Sequence, residues 1–211
     1  MASPAEAAEV EAVAASVPAD GAVGDETADP TISVYDEHAA DWTARREARF
    51  DDVAAALAAR SIGFGPLVDL GCGPGWNLEA LGSSTSDAIG LDASRGMLAV
   101  ARDRGVVRPL VAGDLRALPF GRASLSGAWA SRSYVHLARS ALPMALRDLH
   151  GCLEVGAPIV MQLFGGDLEH GTDDGDRFAG RRYSHWPERL LHDVVIGAGF
   201  EVDALDVTST G

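Results

Sequence analysis

Val68-Asp69-Leu70-Gly71-Cys72-Gly73-Pro74-Gly75 constrains this chain more than any other stretch. Pro66-Leu67-Val68 leads in with short, partly β-branched residues that favour a covered strand. Asp69 falls where that strand should end. Three glycines at alternate positions then let a ligand approach the backbone without meeting a Cβ. Trp76 to Leu81 can start a helix whose first N–H groups face the same turn. Strand, glycine turn and helix together open a layered α/β fold, and the remaining chain should supply more such units.

It does so in order. Tyr35 to Trp42 reads as a short helix and Arg45 to Arg60 as a second, with Phe50, Val53, Ala54, Leu57 and Ala58 on one apolar face. After the turn, Asp87 to Asp92 is a short apolar run ending in an acid. Ser94 caps the next helix, which turns Met97, Leu98 and Ala101 inward. Arg108 to Ala112 is a third strand and Leu125 to Ala130 a fourth. Ser140 is expected to cap a helix bearing Leu142, Leu146, Leu149 and Leu153. Ala157 to Phe164 is a fifth strand, and Glu201 to Val207 reads as a sixth. Gly165 to Arg182 is a long polar insertion, and Ser184 is expected to cap the last helix. Strands separated by helices predict a parallel sheet covered on both faces. Such sheets bind ligands beyond the carboxyl ends of the strands, where Asp69, Gly71, Asp92, Asp114 and Ser131 fall.

The ligand class follows from spacing and charge. A dinucleotide fingerprint needs glycine at 71, 73 and 76, and position 76 is tryptophan. A phosphate-binding loop with its lysine is excluded, because the chain has no lysine. Acids at three neighbouring strand ends favour a ligand with donors or positive charge over a polyphosphate. The 211 residues carry a net charge of −14. Seven of the 31 acids lie in residues 1–30, which hold no base, leaving 24 acids against 17 arginines in the rest. So acidic a surface repels a phosphate backbone, and nucleic acid is not the expected partner of this segment. Residues 1–30 hold few large apolar groups and are expected to form a disordered acidic tail ahead of one domain at 31–211. No apolar run approaches the ~18 residues of a membrane span, and no signal-like segment opens the chain. With two cysteines, one in the turn and one in a helix, no disulfide framework is indicated. A cytoplasmic protein is expected.

On these residues the chain resembles the class I S-adenosylmethionine-dependent methyltransferases, in particular their small-molecule branch. The resemblance runs from about Tyr35 to Val207. It is carried in order by VDLGCGPG at 68–75, GLDAS at 90–94 with Met97 and Ala101, AGDLRALPF at 112–120, YVHL at 134–137 and RRYSHWPERLL…AGF at 181–200. It implies a three-layer, Rossmann-like, mostly parallel sheet with S-adenosylmethionine as cofactor.

The resemblance also implies residue roles. Asp69 and the turn through Gly71, Cys72, Gly73 and Gly75 hold the methionine and ribose side. Asp92 accepts from both ribose hydroxyls, and Ala93 and Met97 line the adenine. Asp114 accepts from the adenine amine, and the Leu115 N–H meets a ring nitrogen. Ser131 lies near the methionine end, and Tyr35 belongs to a flap. The reaction implied is methyl transfer to a small organic acceptor; a base is needed only if the acceptor must lose a proton early, with His136 the first candidate and Tyr134, Tyr35 and His38 behind it. Arg132 is positioned to pair with an acidic acceptor.

Two departures from the family stand out: Leu125-Ser126 opens the fourth strand where an aspartate is usual, and Val155-Gly156-Ala157-Pro158 replaces Pro-Gly-Gly. The family's final antiparallel strand is missing, which points to truncation, a further C-terminal domain, or a partner completing the sheet edge. Two further readings are a cofactor-binding regulatory or scaffold module, and methylation of nucleic acid or protein with help from another domain. No metal site is expected, since the acids of the 165–182 insertion match no ligand spacing.

Overall fold

A computed structural model describes residues 29–47, 50–82, 87–173 and 175–206. The expected tail at 1–30 therefore lies outside the described residues, apart from its last two. Asp29 caps helix α1, Pro30–Ala44, by accepting from the Thr31 N–H, with Pro30 preset at its first position. Helix α2 is Asp51–Arg60, and Ala54, Leu57 and Ala58 are its buried face.

Strand β1, Leu67–Leu70, is fully buried. After it come helix α3, Leu78–Leu81, strand β2, Ala88–Asp92, helix α4, Arg95–Asp103, and strand β3, Leu110–Ala112. Strand β4, Gly127–Ser131, helix α5, Leu142–Cys152, and strand β5, Ile159–Gln162, follow. These five strands form one sheet in the order β3-β2-β1-β4-β5, with every pair parallel. The order reverses between β1 and β4, so the carboxyl end of β1 borders the crevice of such a fold.

Side chains alternate across the sheet, and each face has its own helices. Val68 and Leu70 of β1 join Ala128 and Ala130 of β4 against Leu142, Leu146 and Leu149 of α5. Leu67, Ala88 and Trp129 pack on the other face with Ala54, Leu57 and Ala58 of α2 and Leu78 and Leu81 of α3. Asp69 shares the parity of Leu67, so an acid sits in register with an apolar layer at the sheet centre.

Several expectations need correction. The helix after the glycine turn is a single turn, because Trp76 and Asn77 belong to the loop that precedes it. Ser94 does cap α4, accepting from the Met97 N–H at 3.0 Å, but Ser140 caps nothing. The N-cap of α5 is Ala141, and Pro143 in the first turn supplies the helical φ there. The polar insertion contains strands: β6, Phe164–Gly165, β7, Gly171–Thr172, β8, Arg182–Tyr183, and β9, His185–Trp186. β6 pairs in parallel with β9 and β7 antiparallel with β8. Ser184 is wholly buried between β8 and β9, and Pro187 takes the N-cap position of helix α6, Glu188–Gly197, without a side-chain capping bond. Residues 201–206 form no strand, so the expected sixth strand is not present there, and Val207 lies outside the described residues. No antiparallel strand joins the main sheet among the described residues. No helix among them is long and apolar enough to cross a membrane.

Candidate functional site

The turn after β1 is held by main-chain bonds before any ligand is considered. Gly71 and Cys72 N–H groups both donate to the Leu91 carbonyl, at 2.7 and 3.0 Å, and Gly75 N–H donates to the Cys72 carbonyl at 2.9 Å. All three glycines have positive φ, +73°, +52° and +77°, which only glycine adopts without strain. They serve different ends. A Cβ on Gly71 would run into Ser133, and one on Gly75 would run into Val106, whereas one on Gly73 would meet nothing within 4 Å. Gly73 and Gly71 line a cleft of ≈ 760 Å³; Gly75 does not, and its glycine is required by the turn and by Val106 packing.

One end of that cleft is acidic. Asp92, at the end of β2, accepts from the Gly73 N–H at 2.7 Å through one oxygen and from the Ser94 N–H at 2.8 Å through the other. It thereby ties the turn to β2 and keeps one lone pair on each oxygen for a ligand. Burial pushes its carboxyl up to about 6 despite those two donors. Asp69 is buried more completely, and burial followed by the Asp92 charge pushes it up to about 8. Two adjacent carboxyl groups held this way disfavour their own ionisation. A cationic or donor-rich ligand reverses that penalty. Cys72, in the same turn, is buried and its thiol is raised by burial, then by Asp69 and Asp92. It is an apolar wall, not a nucleophile.

The other expected residues are placed as follows. Tyr35, Ala93, Met97, Asp114, Leu115 and Ser131 all line the cleft. Asp114 is gripped by Arg116, whose Nε and Nη2 donate to its oxygens at 2.6–3.0 Å. Burial opposes the ionised form, yet the Arg116 bonds and charge leave the Asp114 carboxyl below its ordinary range. Any ligand amine must share this carboxylate with Arg116. Ser131 Oγ donates to Gln162 Oε1 at 2.6 Å, across the β4–β5 pair.

Tyr134 is placed away from the cleft. Its side chain is 1% exposed in the core beside α5, and it does not line the cleft. Burial, then the charges of Asp148 and Cys152, raise its hydroxyl further above its ordinary range. His136 does line the cleft, but its ring is engaged on both sides. The Arg182 carbonyl, 2.8 Å from Nδ1, can only accept, so Nδ1 carries the proton. Nε2 then accepts from the Tyr35 hydroxyl at 2.9 Å. Burial pushes the imidazole down to about 4, which keeps it neutral and weakly basic.

Residues that the sequence did not single out as site residues complete the lining of the cleft. Arg181, 4% exposed, donates to Tyr35 Oη at 2.9 Å and pairs with Asp176 through Nε at 2.8 Å and Nη2 at 2.5 Å. Tyr183 donates to the same carboxylate at 2.9 Å. The α1 flap is also held to the glycine turn: Trp42 stacks on Trp76 with centroids 5.3 Å apart and planes 26° apart. Ser133 Oγ is buried against Gly71 without a hydrogen-bond partner, an orphan that a bound polar ligand would satisfy. Among the described residues, no group of three or more metal-ligating side chains converges.

Comparisons with known proteins agree with the fold. Residues 67–156 match the family model for a methyltransferase domain. A malonyl-[acyl-carrier protein] O-methyltransferase of Erwinia pyrifoliae is 32% identical over 94 residues, covering 44% of this chain and 35% of that protein. An uncharacterised 37.1 kDa transposon protein of Streptomyces fradiae is 32% identical over 149 residues, covering 66% of this chain and 41% of its own. The chain thus spans about two fifths of the length of these curated relatives. An S-adenosylmethionine-dependent methyltransferase structure from Mesorhizobium loti superimposes with a TM-score of 0.55 at 24% identity, covering 73% of this chain and 84% of that one.

Proposed function

We propose, for a chain whose residues 67–156 form a methyltransferase domain of the class I S-adenosylmethionine-dependent family, that the cleft binds S-adenosylmethionine and passes its methyl group to a small organic acceptor. The observation that carries this reading is the pair Asp69 and Asp92, two buried carboxyl groups beside an open glycine turn. Such a pair suits a ligand bearing an ammonium, a sulfonium and a diol. Asp69 faces the positive groups, and Asp92 accepts from the ribose with its remaining lone pairs. Ala93, Met97 and the Leu115 N–H receive the adenine, with Asp114 shared between its amine and Arg116. Ser133 supplies its orphan hydroxyl near Gly71. The cofactor supplies an already activated methyl group, so the chain mainly positions and excludes water.

The neutral, doubly engaged His136 holds the Tyr35 hydroxyl in place and is not the proton acceptor of the reaction. An acceptor that needs no early deprotonation fits this arrangement. The same observation favours a second reading, in which the module binds cofactor without transfer. Turnover of isotope-labelled cofactor across an acceptor panel separates the two readings.

The direct test is calorimetry on Asp92→Ala. We expect affinity for S-adenosylmethionine to fall by about 1.5–3 kcal/mol, the range for hydrogen bonds to a charged group. Unchanged affinity removes Asp92 from the cofactor site.

A further inference from the structure

Tyr35 of α1 lines the cleft, and so do His136, Arg181 and Tyr183 around it. Its ring is braced on several sides. Trp42 and His136 meet it edge-on, with centroids 5.8 and 5.4 Å away, and the Arg181 guanidinium lies 5.1 Å over its face. A ring held this way fixes its hydroxyl, and what that hydroxyl offers a ligand can be counted.

A phenol carries one proton and two lone pairs. The Arg182 carbonyl accepts from His136 Nδ1 at 2.8 Å, so the neutral ring has no proton on Nε2, which accepts from the Tyr35 O–H at 2.9 Å. Arg181 Nη1 donates to the Tyr35 oxygen at 2.9 Å and occupies one lone pair. Arg181 is itself fixed by Asp176, which accepts from its Nε at 2.8 Å and from the Tyr183 hydroxyl at 2.9 Å. The proton and one lone pair of Tyr35 are thus engaged inside the wall, and one lone pair remains. Toward a ligand Tyr35 is an acceptor only, and it calls for a donor.

The surrounding groups narrow the chemistry of that donor. Burial pushes His136 down to about 4, and Tyr134 lies away from the cleft, so neither of these expected bases takes a proton readily at neutral pH. An alcohol must lose its proton for its oxygen to attack well. An ionised acid needs no base, but its oxygens bring lone pairs to meet the lone pair of Tyr35. A neutral amine needs no base and brings an N–H, so it satisfies both conditions.

We propose that the methyl acceptor is a neutral primary or secondary amine whose N–H donates to Tyr35 Oη. This rests on the methyl-transfer reading above and names its acceptor class. The nitrogen lone pair forms the new C–N bond as the S–C bond of the sulfonium breaks, and that electron pair stays on sulfur. The nitrogen becomes an ammonium and gives its extra proton to water after release. Tyr35 orients the nitrogen, and His136 is a positioning residue that sets where the Tyr35 proton points.

S-adenosylmethionine and S-adenosylhomocysteine are first titrated into the full chain by calorimetry. Absence of binding at this step overturns the cofactor reading itself, before any acceptor is added. Labelled methyl transfer is then measured at saturating cofactor with matched probes: benzylamine, benzyl alcohol and benzoate, and cyclohexylamine, cyclohexanol and cyclohexanecarboxylate. The amines should react at least roughly tenfold faster than their oxygen counterparts, the worth of one hydrogen bond. Tyr35→Phe should lower kcat/KM for the amines by about the same factor. His136→Phe frees the Tyr35 proton to point into the cleft. Benzoate should then bind the S-adenosylhomocysteine-loaded chain more tightly and benzylamine more weakly, whereas a merely structural histidine would weaken both. Equal rates for amines and oxygen probes, or an amine preference unchanged in either variant, overturns the proposal. So does cofactor binding with transfer to none of the probes, which favours the module without catalysis.

Discussion

Asp69 and Asp92 stand at one end of the cleft on adjacent strands, 23 positions apart in sequence and one strand apart in space. Arg46, Arg132 and Arg181 also line the cleft, carried by the loop after α1, the end of β4 and the loop before β8. The acid end is rigid, because its carboxyl groups are fixed by a sheet and a main-chain turn. The arginine end is assembled from separate segments: the residues after α1, the end of β4 and the loop before β8. Charge is handled differently too. At the acid end like charges are crowded and disfavour their own ionisation, which stores a preference for a cation. At the arginine end the deepest cation, Arg181, is satisfied by Asp176 and Tyr35, and Tyr183 donates to the same Asp176 carboxylate. The first end is poised to bind; the second is built to hold its shape.

The largest effect that separates the ends is on stability. Arg181→Ala leaves Asp176 buried without its partner and takes a donor from Tyr35. Breaking such a pair from one side typically costs about 3–5 kcal/mol. Denaturant unfolding should show this loss. A change below about 1 kcal/mol would mean that the arginine end is not held by this pair.

The acid end should respond in the opposite sense. An aspartate raised in the folded state contributes stability below its unfolded value of about 3.9 and loses it as the pH climbs to its folded value. Asp92 completes that loss near pH 6 and Asp69 near pH 8. His136 is lowered, so its neutral form stabilises above about 6.5 and that contribution fades as the pH falls toward 4. Between pH 6.5 and 8 Asp69 acts with little interference from the other two. The cofactor-free chain should lose about 2 kcal/mol across that window. Asp69→Asn should flatten the profile, stabilise the cofactor-free chain at pH 8 and bind S-adenosylmethionine poorly. A substitution that stabilises while it impairs binding is the mark of a site held under strain.

The smallest effect lies where the two ends are joined. Trp76→Ala removes the stack that seats α1 on the glycine turn. Aromatic pairs contribute about 0.5–1.5 kcal/mol beyond their burial. The flap should then exchange amide hydrogens faster along α1, with β1 and β2 unaffected. If β1 loosened as well, the two ends would not be separable.

Legibility follows the same division. β1, its glycine turn, β2 with Asp92, and α4 with its Ser94 cap could be read in advance because each is local: a short apolar run, a turn residue, a cap three positions from its partner. The parallel order then placed the acids together. Ser140 and Ser184 misled because a serine before an apolar helix looks like a cap from sequence alone. Ala141 and Pro187 took those positions, and Ser184 was drawn into the β8–β9 segment. Tyr134 lies away from the cleft although it stands two positions before His136, because residues two apart in that short helical turn face different ways. The Arg181 network was hidden for a plainer reason. Arg181 meets Tyr35 across 146 positions, and no local pattern encodes that contact. The one available signal was the run of arginine and aromatic residues at 181–186, which reads equally well as a solvated strand edge.

The central claim is that Asp69 and Asp92 form a cation-seeking end that takes S-adenosylmethionine. Calorimetric titration of the full chain at pH 7, in two buffers of different ionisation enthalpy, tests it most directly. A cation seated beside Asp69 favours the ionised carboxylate, so binding should release close to one proton, and affinity should rise from pH 6 to 8 by up to about tenfold per unit. Asp69→Asn should release none. Saturable binding with no proton release and no pH dependence would contradict the account, because the ligand would then be held somewhere other than between these two carboxyl groups.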